Sequence, residues 1–284
     1  MTNRLRICTV LVLAIYPWCA ACRPSLDRAA AATDPKVLRV CADPNNLPFS
    51  NEQRAGFENK IAELVASQMH ARLEYVWWAQ RRGFIRNTLR AGLCDVLIGV
   101  PADLEMAATT RPYYRSSYVF VTRAGAQTPA SLDDPWLKTA IVGVHLIGDD
   151  GANTPPAHAL SARGMVDNVR GYSIYGNYAE PDPPARLIRA VADHEIDVAI
   201  AWGPLAGYFA RRSAVPLQLT VVTPRDEEPY RFEFDIAMGV SRGNQQLRDR
   251  LNAIIDSQRD RIEAILRDYG VPLTRSHRIE RVLE

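Results

Sequence analysis

From Val37 onward, strand-length apolar runs alternate with segments of helical period, and that alternation restricts the chain to few architectures. Val37–Ala42 predicts a strand, and Phe57–Met69 a helix with Ile61, Leu64, Val65 and Met69 along one side. Arg72–Trp77 predicts a strand, Gly83–Ala91 a helix and Val96–Val100 a strand. Strands in a βαβαβ order pair in parallel, and their crossover helices cover the sheet faces. Tyr118–Arg123 then runs extended into the polar stretch Ala124–Pro129.

A second α/β series starts near Thr139. Ala140–Val144 predicts a strand, followed by a helix capped by Thr154, opened by Pro155 and Pro156 and stopped by Gly164. Tyr172–Tyr175 predicts a strand, Pro184–His194 a helix and Asp197–Trp202 a strand. The tail returns through alternating Phe232, Phe234, Ile236 and Met238 to helices near Gln245–Asp256 and Arg261–Tyr269. Gly270 and Pro272 stop the last of these. The expectation is a clamshell of two α/β lobes, each a mixed sheet flanked by helices, with two hinge crossings. Residues 36–122 plus 229–284 are expected to form one lobe and 123–228 the other. A ligand sits beyond the carboxyl ends of such strands. Here those ends carry Asp43-Pro44-Asn45-Asn46, Trp77-Trp78, the Pro101 loop and Trp202-Gly203-Pro204.

The N-terminal segment reads as an export signal. Arg4 and Arg6 precede a mostly apolar run, Ile7 to Tyr16, with small residues behind it. That run is shorter than the ~18–20 residues a bilayer span needs. Residues 1–22 are the expected signal, with cleavage after Ala21 or as late as Ala32. Lipid anchoring at Cys22 is the lesser alternative, because Cys19 stands where a lipoprotein signal has leucine. Export leaves Cys41 and Cys94, an even pair in an oxidising compartment, each at the edge of a strand-like run. A disulfide between them is expected; two buried free thiols are the blander alternative. The chain holds 34 Lys and Arg against 32 Asp and Glu, and two of the basic residues leave with the signal. A charge-balanced chain has no global field to draw it to nucleic acid.

Four marks resemble the extracellular solute-binding proteins of the polar-amino-acid type. They are Leu38-Arg39-Val40 with Pro48-Phe49-Ser50, Gly56-Phe57-Glu58, the Ala91-to-Asp95 segment with Pro112-Tyr113-Tyr114, and Ile196-Asp197-Val198-Ala199. Longer strings are similar to a narrower branch, the quinoprotein-dehydrogenase-associated accessory proteins of methanol oxidation, MoxJ type. They include Asp43–Ser50, Gln80–Phe84, Arg111–Ser116, Asp149–Pro156 and Trp202–Gly207. The resemblance implies a periplasmic, non-catalytic protein that supports a PQQ-dependent methanol dehydrogenase, with dehydrogenase subunits as partners. It implies no cofactor of the protein's own and leaves handling of PQQ open. The fold alone carries the alternative: a receptor delivering a small, non-amino-acid, aromatic solute to an ABC transporter.

An amino-acid site needs an arginine fork for the carboxylate and an acid for the ammonium. Amino-acid binders of this fold carry the arginine shortly before Pro-Tyr-Tyr; here Pro101–Met106 has none, and Trp202 stands where they have aspartate. A zwitterionic amino acid is therefore not the expected ligand. Aromatic and amide side chains take their place. Asn45, Asn46, Trp78, Arg81, Arg111, Tyr114, Arg115, Asn153 and Trp202 are expected to make contact across the cleft. Trp77 and Trp78 point to opposite faces of a strand, so one of them is core. Tyr113 and Tyr114 recur in ordinary members of the fold and are partly structural.

Other features read as structural. Arg82, Arg86 and Arg90 line one face of the expected helix, normally a solvated stripe. Asp149, Asp150 and Asn153 cluster oxygens, but lack the further carboxylates of a calcium loop, so a turn before Thr154 is the reading. His70, His145, His158, His194 and His277 have no zinc spacing and read as surface or loop residues. No Gly-x-Ser-x-Gly elbow, Cys/His pair or metal quartet is present, so no enzyme is expected.

Overall fold

The computed structural model describes residues 37–147, 153–173 and 180–274. The expected signal segment and its cleavage sites, Cys22, Asp149, Asp150, Ile174, Tyr175 and His277 lie outside the described residues.

The first three strands, β1 (Val37–Ala42), β2 (Arg72–Trp77) and β3 (Val96–Pro101), are parallel, in the order β2-β1-β3. Helix α1 (Phe57–Met69) crosses from β1 toward β2 and buries Phe57, Ile61, Leu64 and Val65, as its apolar spacing predicts. His70 ends it in the left-handed region, where a residue other than glycine is uncommon. Helix α2 spans only Phe84–Asn87, four residues, rather than Gly83–Ala91. The Thr88 hydroxyl bonds the Phe84 carbonyl and the Thr88 backbone leaves helical geometry, so the expected Arg82, Arg86 and Arg90 stripe does not form on a helix.

Strand β4 (Tyr114–Arg123) is ten residues long and serves both halves of the molecule. It leads to β5 (Val142–Leu146), α3 (Pro155–Ala162), β6 (Val169–Ser173), α4 (Arg186–Ala192), β7 (Val198–Trp202), α5 (Gly203–Ala210) and β8 (Leu217–Val221). Thr154 does sit at the N-cap of α3, but its hydroxyl donates to the His145 carbonyl instead of capping the helix. The strand expected at Tyr172–Tyr175 begins earlier, at Val169, where it pairs with Val142 of β5. Helix α5 is an addition to the expected elements, opened by Gly203 and Pro204. Both are helix-compatible here because they occupy its first positions. Gly203 and Gly207 allow close packing: a Cβ would fall 2.5 Å from the Ser117 carbonyl and 1.9 Å from the Gly270 carbonyl, respectively.

The chain returns in β9 (Glu233–Val240), then α6 (Gln245–Ser257) and α7 (Arg259–Asp268). Strand order along the joined sheets is β2-β1-β3-β9-β4-β7-β5-β6, with β8 on the other side of β4. Tyr114–Ser117 pair antiparallel with Glu233–Ile236, whereas Tyr118–Val121 pair with Ala199–Trp202. One lobe packs around Phe57, Ile61, Val96, Met238, Leu251 and Leu266, the other around Phe120, Val142, Leu160, Leu187, Val198 and Ala199. Cys41 and Cys94 form the expected disulfide, with Cα atoms 5.6 Å apart.

Candidate functional site

At the strand ends where the lobes face each other lies a cavity of about 380 Å³. Its floor on the first lobe starts at Asp43, directly after β1. Asp43 is 3% exposed, and its carboxylate accepts the backbone N–H of Asn45 at 2.8 Å and of Gln80 at 2.6 Å. Ser50 Oγ donates to the Asp43 carbonyl at 2.8 Å, closing the loop beneath. These bonds present the amides of Asn45 and Asn46 to the cavity mouth. Asn46 Nδ2 donates to Gln80 Oε1, while Asn45 Nδ2 reaches the Glu180 carbonyl at 2.9 Å.

Aromatic rings form the walls: Phe49, Tyr114, Tyr118, Trp202 and Phe234. Trp202 closes β7 and starts α5, packing at 5.7 Å edge-on to Phe234 and at 5.4 Å to Tyr118. Tyr114 lies edge-on to Phe57, and Phe49 to Phe57, so the wall is continuous with the first lobe's core. No arginine or lysine is among the described residues lining the cavity.

Two titratable groups complete it. Glu58, in the first turn of α1, lays its carboxyl against Gly99; a Cβ there would fall 2.0 Å from Oε1. It keeps some exposed surface, but onto the aromatic-walled cavity rather than bulk water, and burial pushes its pKa up to about 8. His145, on β5, is 4% exposed, and its Nε2 has no hydrogen-bond partner. Burial takes its pKa down to about 4, opposed by a hydrogen bond to the Pro184 backbone. His145 is therefore a buried strand residue, against its expected place at the surface.

These shifts act in opposite directions. Glu58 binds more protons when folded, so its contribution is full below pH 4.5 and is lost as pH rises toward about 8. His145 binds fewer when folded, so its contribution is lost as pH falls from 6.5 toward about 4. Between about pH 6.5 and 8 only Glu58 of the two tilts stability. The neutral isostere Glu58→Gln is expected to flatten the decline of Tm over that window. Melts of both proteins check this, and parallel curves would refute it.

Of the residues expected in the cleft, Asn45, Asn46, Tyr114 and Trp202 line the cavity. The other five stand elsewhere. Trp78 is 43% exposed, while its neighbour Trp77 stacks on Tyr75 at 4.5 Å against the core. Arg81 lies on the exposed loop after β2. Arg111 pairs with Asp256 of α6, and its backbone N–H donates to Asn252 Oδ1. Arg115 binds Asp235 and Glu233 across the β4–β9 pair. The backbone N–H of Asn153 donates to His158 Nε2. Sequence reasoning missed Glu58, His145, Tyr118 and Phe234 as lining residues. One signal was available: Gly99 interrupts the run Val96–Val100, and a strand glycine marks close approach of another group.

The profile of the bacterial extracellular solute-binding proteins, family 3, matches residues 38–271. The chain is similar to protein MoxJ of Paracoccus denitrificans, with 33% identity over 268 residues, covering 90% of this chain and 96% of that protein. Among solved structures it resembles the periplasmic binding protein XoxJ from Methylobacterium extorquens AM1. The identity is 38% and the TM-score 0.69, over 84% of this chain and 100% of that one. It also resembles MxaJ from Methlophaga aminisulfidivorans MPT, with 26% identity and a TM-score of 0.70 over the same shares.

Proposed function

The chain belongs to the bacterial extracellular solute-binding proteins of family 3, as a member of the MoxJ type, and on that premise we propose that it is a periplasmic, non-catalytic accessory protein of methanol oxidation. It supports the assembly or activity of a PQQ-dependent methanol dehydrogenase, and its cavity holds the partner or the partner's cofactor. One observation carries the reading: the fold keeps a binding-protein cavity, but aromatic and amide side chains, with no arginine among the described residues, line it in place of an amino-acid clamp. Trp202 is its central ring. Partly buried aromatic residues of this kind are typical binding anchors.

The reading is tested by an affinity pull-down of the mature, oxidised protein through periplasmic extract of methanol-grown cells. Retention of a quinoprotein dehydrogenase subunit is expected, and Trp202→Ala should weaken it about 30-fold, the ~2 kcal/mol of an interface anchor. The same variant should slow growth on methanol while the protein still melts cooperatively. Recovery of permease components instead would favour a transport receptor. That second reading is supported by the cavity's size, about 380 Å³, within the ~300–1,000 Å³ of small-molecule sites.

A further inference from the structure

Glu58 stands in the cavity wall as a carboxyl that no described residue hydrogen-bonds or ion-pairs, and the sheet beside it is shaped to seat it. Strand β3 bulges there: Leu97 pairs with Gly239 and Val100 with Ala237, so Ile98 and Gly99 stand opposite the single residue Met238. Bulges of this kind re-aim groups next to binding sites. Gly99 supplies the space, since a Cβ on it would fall 2.0 Å from Glu58 Oε1. The Tyr113 hydroxyl, a neighbour of Glu58, donates to the Ile98 carbonyl at 3.0 Å, so that donor serves the bulge and not the carboxyl.

A notch of this kind suits the neutral form of the acid. An ionised carboxylate is held by several donors or by a cation, and burial without them drives it to take up a proton. Burial raises Glu58 to about 8, so at neutral pH it carries an O–H donor beside a carbonyl acceptor. Both face a cavity walled by Phe49, Tyr114, Tyr118, Trp202 and Phe234. An unsatisfied donor there is costly, and a ligand acceptor recovers the loss. The matching ligand presents an acceptor, or an acceptor next to an N–H, and brings no charge of its own to be desolvated.

We propose that the cavity binds a small uncharged molecule, a flat apolar body bearing an amide or ketone carbonyl, and that this carbonyl accepts the Glu58 O–H at the Gly99 notch. The inference deepens the proposed function and rests on its reading of the cavity as the protein's binding site. The titratable groups around Glu58 are Tyr75 of β2, Tyr113 and Tyr114 where β4 begins, and Asp43, Tyr118 and His145 elsewhere in the lining. Burial raises the four tyrosines and lowers His145, so these five stay neutral while Glu58 titrates. Asp43 is already engaged by the backbone N–H groups of Asn45 and Gln80.

The test titrates the mature protein calorimetrically with benzamide, benzamidinium and benzoate, three molecules of nearly one shape and three charges. Benzamide is expected to bind at least about tenfold more tightly than either ion. Its affinity should be level between about pH 6 and 7 and fall about tenfold by about pH 9, with a proton taken up on binding above about pH 8 and read as a buffer-dependent enthalpy. Glu58→Leu should weaken benzamide about 3- to 10-fold and remove the pH dependence. Glu58→Gln, which restores a donor beside a carbonyl without titrating, should recover most of that affinity and stay level with pH. If Glu58→Leu fails to fold, the charge series on the wild type and the flat profile of Glu58→Gln carry the test. Benzamidinium or benzoate binding as tightly as benzamide, wild-type affinity that rises or stays level through about pH 9, or no binding of benzamide at about 10 mM would overturn the proposal. Should that happen while Trp202→Ala still loses the dehydrogenase, the failure lies with the ligand class and not with the accessory role. Benzamide binding as expected in a protein that retains no dehydrogenase upholds the ligand class and overturns the accessory role.

Discussion

Replacing Cys41 and Cys94 together by alanine is expected to lower the melting temperature by roughly 8–16 °C. The bond joins residues 53 apart in sequence. In the chain-entropy account a cross-link over such a loop contributes roughly 4 kcal/mol, and a domain of this size shifts about 2–4 °C per kcal/mol. Its position makes the full effect plausible on packing grounds. Cys41 and Cys94 sit in their own small buried cluster with Phe84, Leu89, Leu97 and Val100, apart from the main core. Arg39 on β1 bonds the Asp95 carboxylate at 2.7 Å, and Asp95 also accepts the Arg39 backbone N–H. The bridge and this ion pair latch the same two strands. Melts of the double variant against oxidised wild type measure the difference. A shift below about 2 °C would show that the ion pair and strand pairing already hold the loop closed.

The second large effect concerns Arg115. Its guanidinium grips Asp235 through two bonds, 2.8 and 2.6 Å, and reaches Glu233 at 3.3 Å. Glu233 is 5% exposed and takes one further bond, from Arg225. Removing the arginine leaves a buried carboxylate with one partly exposed partner, so Arg115→Ala is expected to destabilise the fold by about 3 kcal/mol. Lysine cannot reproduce a forked contact, so Arg115→Lys should recover less than half of that loss. Urea unfolding of the two variants decides the matter. Equal midpoints for both would mean that the geometry of the fork contributes nothing.

Arg115 also shows where sequence reasoning stops. Its neighbourhood in a family-like string marked it as a cleft residue, yet its partners come from a strand almost 120 positions later, which no local pattern discloses. The elements fared differently. Phe57–Met69 is legible to the residue because its buried side chains follow the helical period. Helix α2 was overdrawn because a threonine side chain, not a glycine or proline, ends it. The cavity walls at Asn45, Asn46 and Trp202 could be placed from strand ends alone, and Tyr114 from a family-like string. Glu58 and His145 could not, because their character comes from what lies around them. A first-turn glutamate is ordinarily a solvated helix-dipole partner, and a strand histidine gives no sign of its depth until neighbouring strands cover it.

The place of β9 in the strand order has a bearing on how the chain reaches its folded state. This strand is the last of the described sheet strands to be synthesised, yet it lies in the middle, between β3 and β4. Until residue 240 has emerged, β3 presents an unpaired edge, and the first lobe also lacks the helices that bury Leu251, Ile255 and Leu266. The buried core residues of the intervening lobe, by contrast, are all present by Phe232, just before β9 begins. That lobe is positioned to fold first, as an insertion within an incomplete host. The exposed β3 edge is then the segment for which a chaperone would compete, and a destabilised β9 would be seen as aggregation during folding before it was seen as lost binding.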